Sequence, residues 1–272
     1  MPTLRMKKQK KLRERIRGIP IAPNLITTGS LFCGFYSIML SINGQFLKAA
    51  WFILGAVVFD MFDGLVARLT RSQSEFGREY DSLSDLLSFG TAPSILMYLW
   101  ALHPLNRLGW SAAFLFTACA ALRLARFNIH TSVSDTPQKG DYTGLASTSA
   151  GATVAAIVLF FYEFDLSPAD TYPYSFLITF YILALLMVSP LKYRSHKDLN
   201  LGTRRPFWIM FLAVLVFMLI FYHPEMMFLI GFGTYALSGP FEWMLKKLRR
   251  QPTSEPVIEM KKPEPGTGPT GG

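Results

Sequence analysis

The chain has 272 residues, 51% of them hydrophobic and 17% charged, with a mean hydropathy of +0.29. Those totals alone decide little, since soluble domains reach about 45–50% apolar. The distribution excludes a soluble bundle: charges gather in short clusters, and stretches such as FWIMFLAVLVFMLIFY (207–222) carry no polar face at the helical period. The formal net charge of +9 reads, from where the basic residues sit, as membrane orientation and contact with anionic lipid rather than nucleic-acid binding.

Residues 1–22 are a basic N-terminal segment. Its stretch 4–17 (LRMKKQKKLRERIR) has two readings, an amphipathic helix on the inner leaflet or a solvated tail that only fixes orientation. No small-residue cleavage site follows it, so no removable signal peptide is expected. Pro23-Asn24 then punctuates entry into the first of eight apolar stretches. These are 25–42, 50–67, 83–101, 110–125, 144–163, 173–190, 207–222 and 225–241. Most approach the ~17–25 residues that a helix needs to cross a bilayer. Asn43-Gly44 predicts a turn between the first two. Residues 248–272, rich in Pro, Gly and charge, predict a disordered tail.

The expected fold is therefore all-α, a polytopic membrane bundle of about eight transmembrane helices, with 23–247 as one catalytic domain. With eight spans, only Lys48 and Arg107 of the 27 lysines and arginines fall on the side away from the termini. The positive-inside rule then makes the basic side, with both termini, cytoplasmic. Cys33 and Cys119 lie within apolar runs and read as free, buried thiols. His103, His130, His196 and His223 are scattered and carry no assigned chemistry. No P-loop, HExxH or G-x-S-x-G pattern occurs.

The chemistry concentrates in FDMFDGLVARLTRSQSEFGREYDSLSDLLSFG (59–90). On a helix at about 100° per residue, Asp60, Asp63, Gly64, Ala67 and Arg68 share one arc of about 140°. Asp81 and Asp85 stand four apart on the next helix, and a hairpin lets the two acidic faces converge. Each carboxylate near a helix centre in lipid costs roughly 2.5–3.5 kcal/mol. One arginine cannot offset four of them. Hard divalent cations can, and four such ligands can hold two metals, an arrangement suited to phosphoryl chemistry. Gly64, Ala67 and Gly77 remove bulk beside the acids and leave room for a nucleotide, while Arg68 is placed for phosphate oxygens. The bland reading of the same acids is an intramembrane salt-bridge network or a transporter's proton relay.

The spacing Asp60-x2-Asp63-Gly64-x2-Ala67-Arg68-x8-Gly77-x3-Asp81-x3-Asp85 resembles the full motif of the CDP-alcohol phosphotransferase family. The resemblance implies a six-helix membrane core and two divalent metal ions, Mg²⁺ or Mn²⁺, on Asp60, Asp63, Asp81 and Asp85. It implies Asp85 as general base, and Gly64, Ala67, Arg68 and Gly77 around cytidine diphosphate. Asn24 and Thr27 gain a nucleotide contact by the same resemblance, with helix capping as the competing role. PNLITTGSLFCGF (23–35), ALRLARFN (121–128), LMVSPLKYRSHKDL (186–199) and YALSGP (235–240) are similar to segments of the branch that uses serine, the phosphatidylserine synthases. One segment departs: GLASTSAGA (144–152) has Ala and Thr where that branch commonly has proline.

The implied partners are CDP-diacylglycerol, L-serine and the lipid bilayer, with no nucleic acid, and a homodimer stays open. The implied location is a bacterial inner membrane with the active site on the cytoplasmic side. Arg123, Arg126 and Asn128, or Arg194, are the candidates to hold the serine carboxylate or the lipid phosphate. Each is weighed against basic residues that topology requires there anyway. Two other readings stay open: the same transfer onto glycerol 3-phosphate, inositol or choline, and an ion-coupled transporter.

Overall fold

The computed structural model describes residues 21–69, 74–133, 142–164, 173–193, 218–219 and 222–249. Helix α1 (Ile21–Ile42) turns back at Gly44, whose φ of 72° suits a glycine, into α2 (Phe46–Leu69). A long rod, α3 (Glu75–Leu105), follows; then come α4 (Arg107–Val133), α5 (Ser147–Glu163), α6 (Pro173–Val188) and α7 (Pro224–Arg249). Two short strands, β1 (Tyr142–Thr143) and β2 (Lys192–Tyr193), pair antiparallel and tie the approach to α5 to the exit from α6.

Helix α3 is the axis of the bundle. Its first turns pack on α1, and its middle packs on α1, α2, α4 and α5. Helix α5 packs on α2 and α7, and α4 packs on α6. Small residues let α3 and α5 approach closely: a Cβ on Gly151 would meet the Phe89 Cα at 3.0 Å. Phe116 and Phe180 stack at 4.4 Å and seal the α4–α6 contact.

Among the described residues, four helical segments are long and apolar enough to cross a bilayer: Pro23–Ile42, Phe46–Val66, Glu75–Leu105 and Arg107–Ile129. Ser147–Glu163 and Pro173–Val188 are apolar and shorter. Large apolar side chains also point outward. Phe32 is 59% exposed and Phe114 69%, while Ser30, Ser37, Ser84 and Ser88 are buried. Apolar outside with serines inside is the arrangement of a polytopic helical membrane protein, in which lipid replaces water and buried hydroxyls bond backbone carbonyls.

The third helix is longer than the predicted 83–101. It begins at Glu75 because Ser74 caps it, its hydroxyl accepting from the Gly77 N–H at 2.9 Å. The stretch Glu75–Asp85 is amphipathic rather than apolar, which hides it from a hydropathy reading. Most of the predicted span 207–222, the basic stretch 4–17 and the tail beyond Arg249 lie outside the described residues.

Candidate active site

The acidic residues come together at one end of α2 and α3. Carboxylate oxygens of Asp60, Asp63 and Asp81 lie within 4.8 Å of one another. Asp85, one turn beyond Asp81, is close enough to feel the charges of Asp60, Asp81 and Asp63. The reason is local. Asp60 and Asp63 occupy one face of α2, Asp81 and Asp85 one face of α3, and α1 holds the two faces at a common level. Ser84 Oγ donates to the Thr27 carbonyl at 3.2 Å, and Ser88 Oγ to the Ser30 carbonyl at 3.0 Å. Beside them Gly34 presses so close to Ser88 that a Cβ there would meet its Cα at 2.6 Å. These contacts fix how far α3 slides and turns against α1, and hence where its two aspartates point.

Hydroxyls orient the carboxylates. Thr27 Oγ1 donates to Asp63 Oδ2 at 2.9 Å, and the Gly64 N–H also donates to the Asp63 carboxyl. Thr148 Oγ1, at the start of α5, donates to Asp60 Oδ2 at 3.4 Å. Arg123 Nη1 donates to Ser147 Oγ at 3.0 Å, and its charge is felt by both Asp60 and Asp85.

Whether such a site suits a divalent ion is decided by its donors. Clustered carboxylate oxygens are hard ligands of the kind Mg²⁺ and Mn²⁺ take, and converging negative charge is costly without a cation. The set fits a divalent cation on Asp60, Asp63 and Asp81.

The other expected residues divide. Gly64 opens to free space, with nothing within 4 Å of a Cβ placed there. Gly77 lies against Asn24: a Cβ on it would stand 3.3 Å from Asn24 Oδ1. Gly77 thus joins α1 to the start of α3, and its N–H is spent on the Ser74 cap. Asn128 Nδ2 donates to Glu79 Oε2 at 3.2 Å and to Ser82 Oγ at 3.0 Å, which ties α4 to the turn of α3 bearing Asp81. Arg126 is exposed. The side chains of Ala67 and Arg68, and all of Arg194, lie outside the described residues.

Ser147 and Thr148 are site neighbours that sequence reading did not single out. Their signal was the departure of GLASTSAGA from the proline-containing pattern: these hydroxyls now face Arg123 and Asp60. Ser84 and Tyr80 were likewise missed. The Tyr80 hydroxyl meets Thr28 Oγ1 at 2.9 Å.

A polytopic helical membrane protein with converging carboxylates at the ends of two of its helices is the class that fold and site define. The chain belongs to the CDP-alcohol phosphatidyltransferase family, whose sequence profile it matches over residues 20–218. It is 34% identical over 230 residues to the CDP-diacylglycerol–serine O-phosphatidyltransferase of Helicobacter pylori, covering 84% of this chain and 93% of that protein. The enzyme of the same name from Bacillus subtilis is 34% identical over 186 residues, 67% of this chain and 97% of the relative. The archaetidylserine synthase of Methanothermobacter thermautotrophicus is 33% identical over 192 residues, 70% and 76% of the two chains.

Proposed function

We propose that this chain transfers the phosphatidyl group of CDP-diacylglycerol to the hydroxyl of L-serine, giving phosphatidylserine and CMP. The observation that carries the reading is the meeting of Asp60, Asp63 and Asp81 within 4.8 Å, with Asp85 beside them, in a family member whose relatives bear serine phosphatidyltransferase names.

In this scheme Asp60, Asp63, Asp81 and Asp85 hold two divalent ions, Mg²⁺ or Mn²⁺. When bound, these supply charge neutralisation for the pyrophosphate and the departing CMP. Gly64, whose outer side is open, and Ala67 admit the cytidine diphosphate, with Gly77 and Asn24 closing the wall between α1 and α3. Thr27 acts through Asp63, which it orients. Arg68 lies one helical turn beyond Gly64 and binds phosphate. The acyl chains remain among the lipid-facing side chains of the bundle.

Asp85 accepts the serine hydroxyl proton. The serine oxygen attacks the phosphorus that bears diacylglycerol, and that phosphorus–oxygen bond to CMP breaks with its electron pair leaving on CMP. No covalent enzyme intermediate is needed. Arg123 is held by Ser147 toward Asp60 and Asp85, which suits it to the serine carboxylate or the lipid phosphate. Asn128 keeps the α3 turn of Asp81 in place, and Arg126 and Arg194 are further candidates to hold the serine carboxylate or the lipid phosphate. Residues 23–247 form the catalytic membrane domain between a basic N-terminal segment and a tail. The termini and site face the cytoplasm of a bacterial cell by the distribution of basic residues. Every group in the scheme comes from one chain, so a homodimer would carry two separate sites.

The deciding experiment is CMP release by the purified protein from CDP-diacylglycerol with serine, glycerol 3-phosphate, inositol or choline in turn. Serine-dependent release that stops with EDTA upholds the proposal. Release with another acceptor alone, or ion transport in liposomes without CMP release, overturns it.

A further inference from the structure

The segment YALSGP (235–240) lies in α7, beyond the part of the chain that the family profile covers, and the scheme above gives it no task. Its construction is specific. Pro240 sits inside the helix and has no N–H, so the carbonyl of Ala236, four residues back, loses its helical donor. The hydroxyl of Tyr193 donates to that carbonyl at 3.1 Å. Gly239 lies under the same ring: a Cβ there would come within 2.8 Å of both Cε atoms of Tyr193. Tyr193 is 1% exposed, among the most buried large side chains in the bundle. Ala236, Gly239 and Pro240 therefore form a receptor shaped for one tyrosine: an acceptor without its usual donor, and a flat bed without a side chain.

Tyr193 is also placed to transmit that grip. In β2 it pairs with Tyr142 of β1, and the chain continues to Gly144, whose N–H donates to the Leu191 carbonyl at 2.8 Å. The Leu145 N–H donates to the Leu186 carbonyl at 2.9 Å. Gly144 has a φ of 84°, and a Cβ on it would run into the Met187 carbonyl. Two and three residues after Leu145 come Ser147 and Thr148, which hold Arg123 and Asp60. In the other direction the residue after Tyr193 is Arg194.

We infer that Tyr193, seated on Ala236, Gly239 and Pro240, is a positioning residue that clamps α7 to the 142–148 segment and so sets Ser147 on Arg123 and Thr148 on Asp60. Burial and the neighbouring Tyr235 push the Tyr193 hydroxyl up to about 12, so it stays a donor at every pH at which the protein would work. The link to catalysis rests on the proposed transfer reaction; the clamp itself does not.

The test uses the full chain in detergent or nanodiscs and two readouts. Tyr193→Phe keeps the ring and deletes the donor. Pro240→Ala restores an N–H that can reach the Ala236 carbonyl, which has a second lone pair for Tyr193. Hydrogen exchange by mass spectrometry should show faster exchange in Tyr193→Phe confined to 142–148, with α1 and α2 unchanged. The turnover number should fall by about tenfold, the worth of one lost hydrogen bond. Pro240→Ala alone should match the parent. The double variant, whose Ala236 carbonyl is again satisfied within α7 but no longer bonded to residue 193, should keep the fast exchange at 142–148 and the low turnover.

Unchanged exchange at 142–148 in Tyr193→Phe, a rise spread over the whole bundle, or a double variant that regains exchange protection and turnover overturns the clamp, the last because Tyr193 would then only have satisfied an orphaned carbonyl. If Tyr193→Phe does not fold, the double variant decides by itself: faster exchange confined to 142–148 upholds the clamp, and near-parental exchange or failure to fold overturns it. A parent that releases no CMP with serine would sink the proposed reaction, while the exchange pattern would still decide the clamp.

Discussion

Thr27 on α1 and Asp63 on α2 are joined by a 2.9 Å hydrogen bond across 36 residues of chain. The Thr27 hydroxyl has one proton and two acceptors in reach, Asp63 Oδ2 and the Pro23 carbonyl at 3.1 Å. The carboxylate is the stronger acceptor. Through its own carbonyl Thr27 also receives Ser84 of α3 at 3.2 Å. One residue thus sets the relation of three helices around the acidic cluster.

Replacing that hydroxyl without changing shape tests its role. Thr27→Val should leave the amount of folded protein unchanged. It should raise the divalent-ion concentration for half-maximal CMP release by about 10-fold, the usual effect of removing a group that orients a ligand. An unchanged metal requirement would show that Asp63 holds its position unaided.

Asp85→Asn keeps the size of the side chain and removes the proton acceptor. Turnover should drop by about 10²–10⁴-fold, the range for a lost general base. Binding of CDP-diacylglycerol, followed by its protection against thermal unfolding, should persist. Turnover within a few-fold of the parent would remove Asp85 from the role of base.

Divalent-ion removal should act on stability as well as activity. Asp60, Asp63 and Asp81 repel one another across 4.8 Å or less, and an ion that binds only the folded state stabilises it by mass action. EDTA should therefore abolish CMP release and lower the melting temperature, and Mg²⁺ or Mn²⁺ should restore both. In Asp63→Asn the thermal shift from added ion should be smaller. A melting temperature indifferent to EDTA would argue that the carboxylates hold no ion.

Two glycines separate packing from binding. A Cβ on Gly34 would run into the backbone of Ser88, so Gly34→Val should force α1 from α3 and destabilise the fold by about 1–3 kcal/mol. Gly64 has nothing within 4 Å of a Cβ, so Gly64→Val should leave the folding stability within about 1 kcal/mol of the parent after allowing for helix propensity. It should instead raise the KM for CDP-diacylglycerol. Melting curves and substrate titrations of the two variants side by side would show the crossed pattern or refute it.

The amino-acid sequence by itself determined the membrane character, the helical class and the acidic cluster. Apolar length and charge placement are local properties, and Asp60, Asp63, Asp81 and Asp85 carry their message in their spacing along two helices. Hydropathy stopped at residue 83 for the third span because Glu75–Asp85 is polar on one face, and only its seat against α1 and the Ser74 cap make it the start of the rod. Ser147, Thr148 and the Tyr193 receptor stayed hidden for a different reason. Their partners, Arg123, Asp60 and Ala236, lie between 24 and 88 residues away. A serine, a threonine or a tyrosine among apolar neighbours has no periodicity that names a distant acceptor; the packing of α5 and α7 on the bundle supplies it.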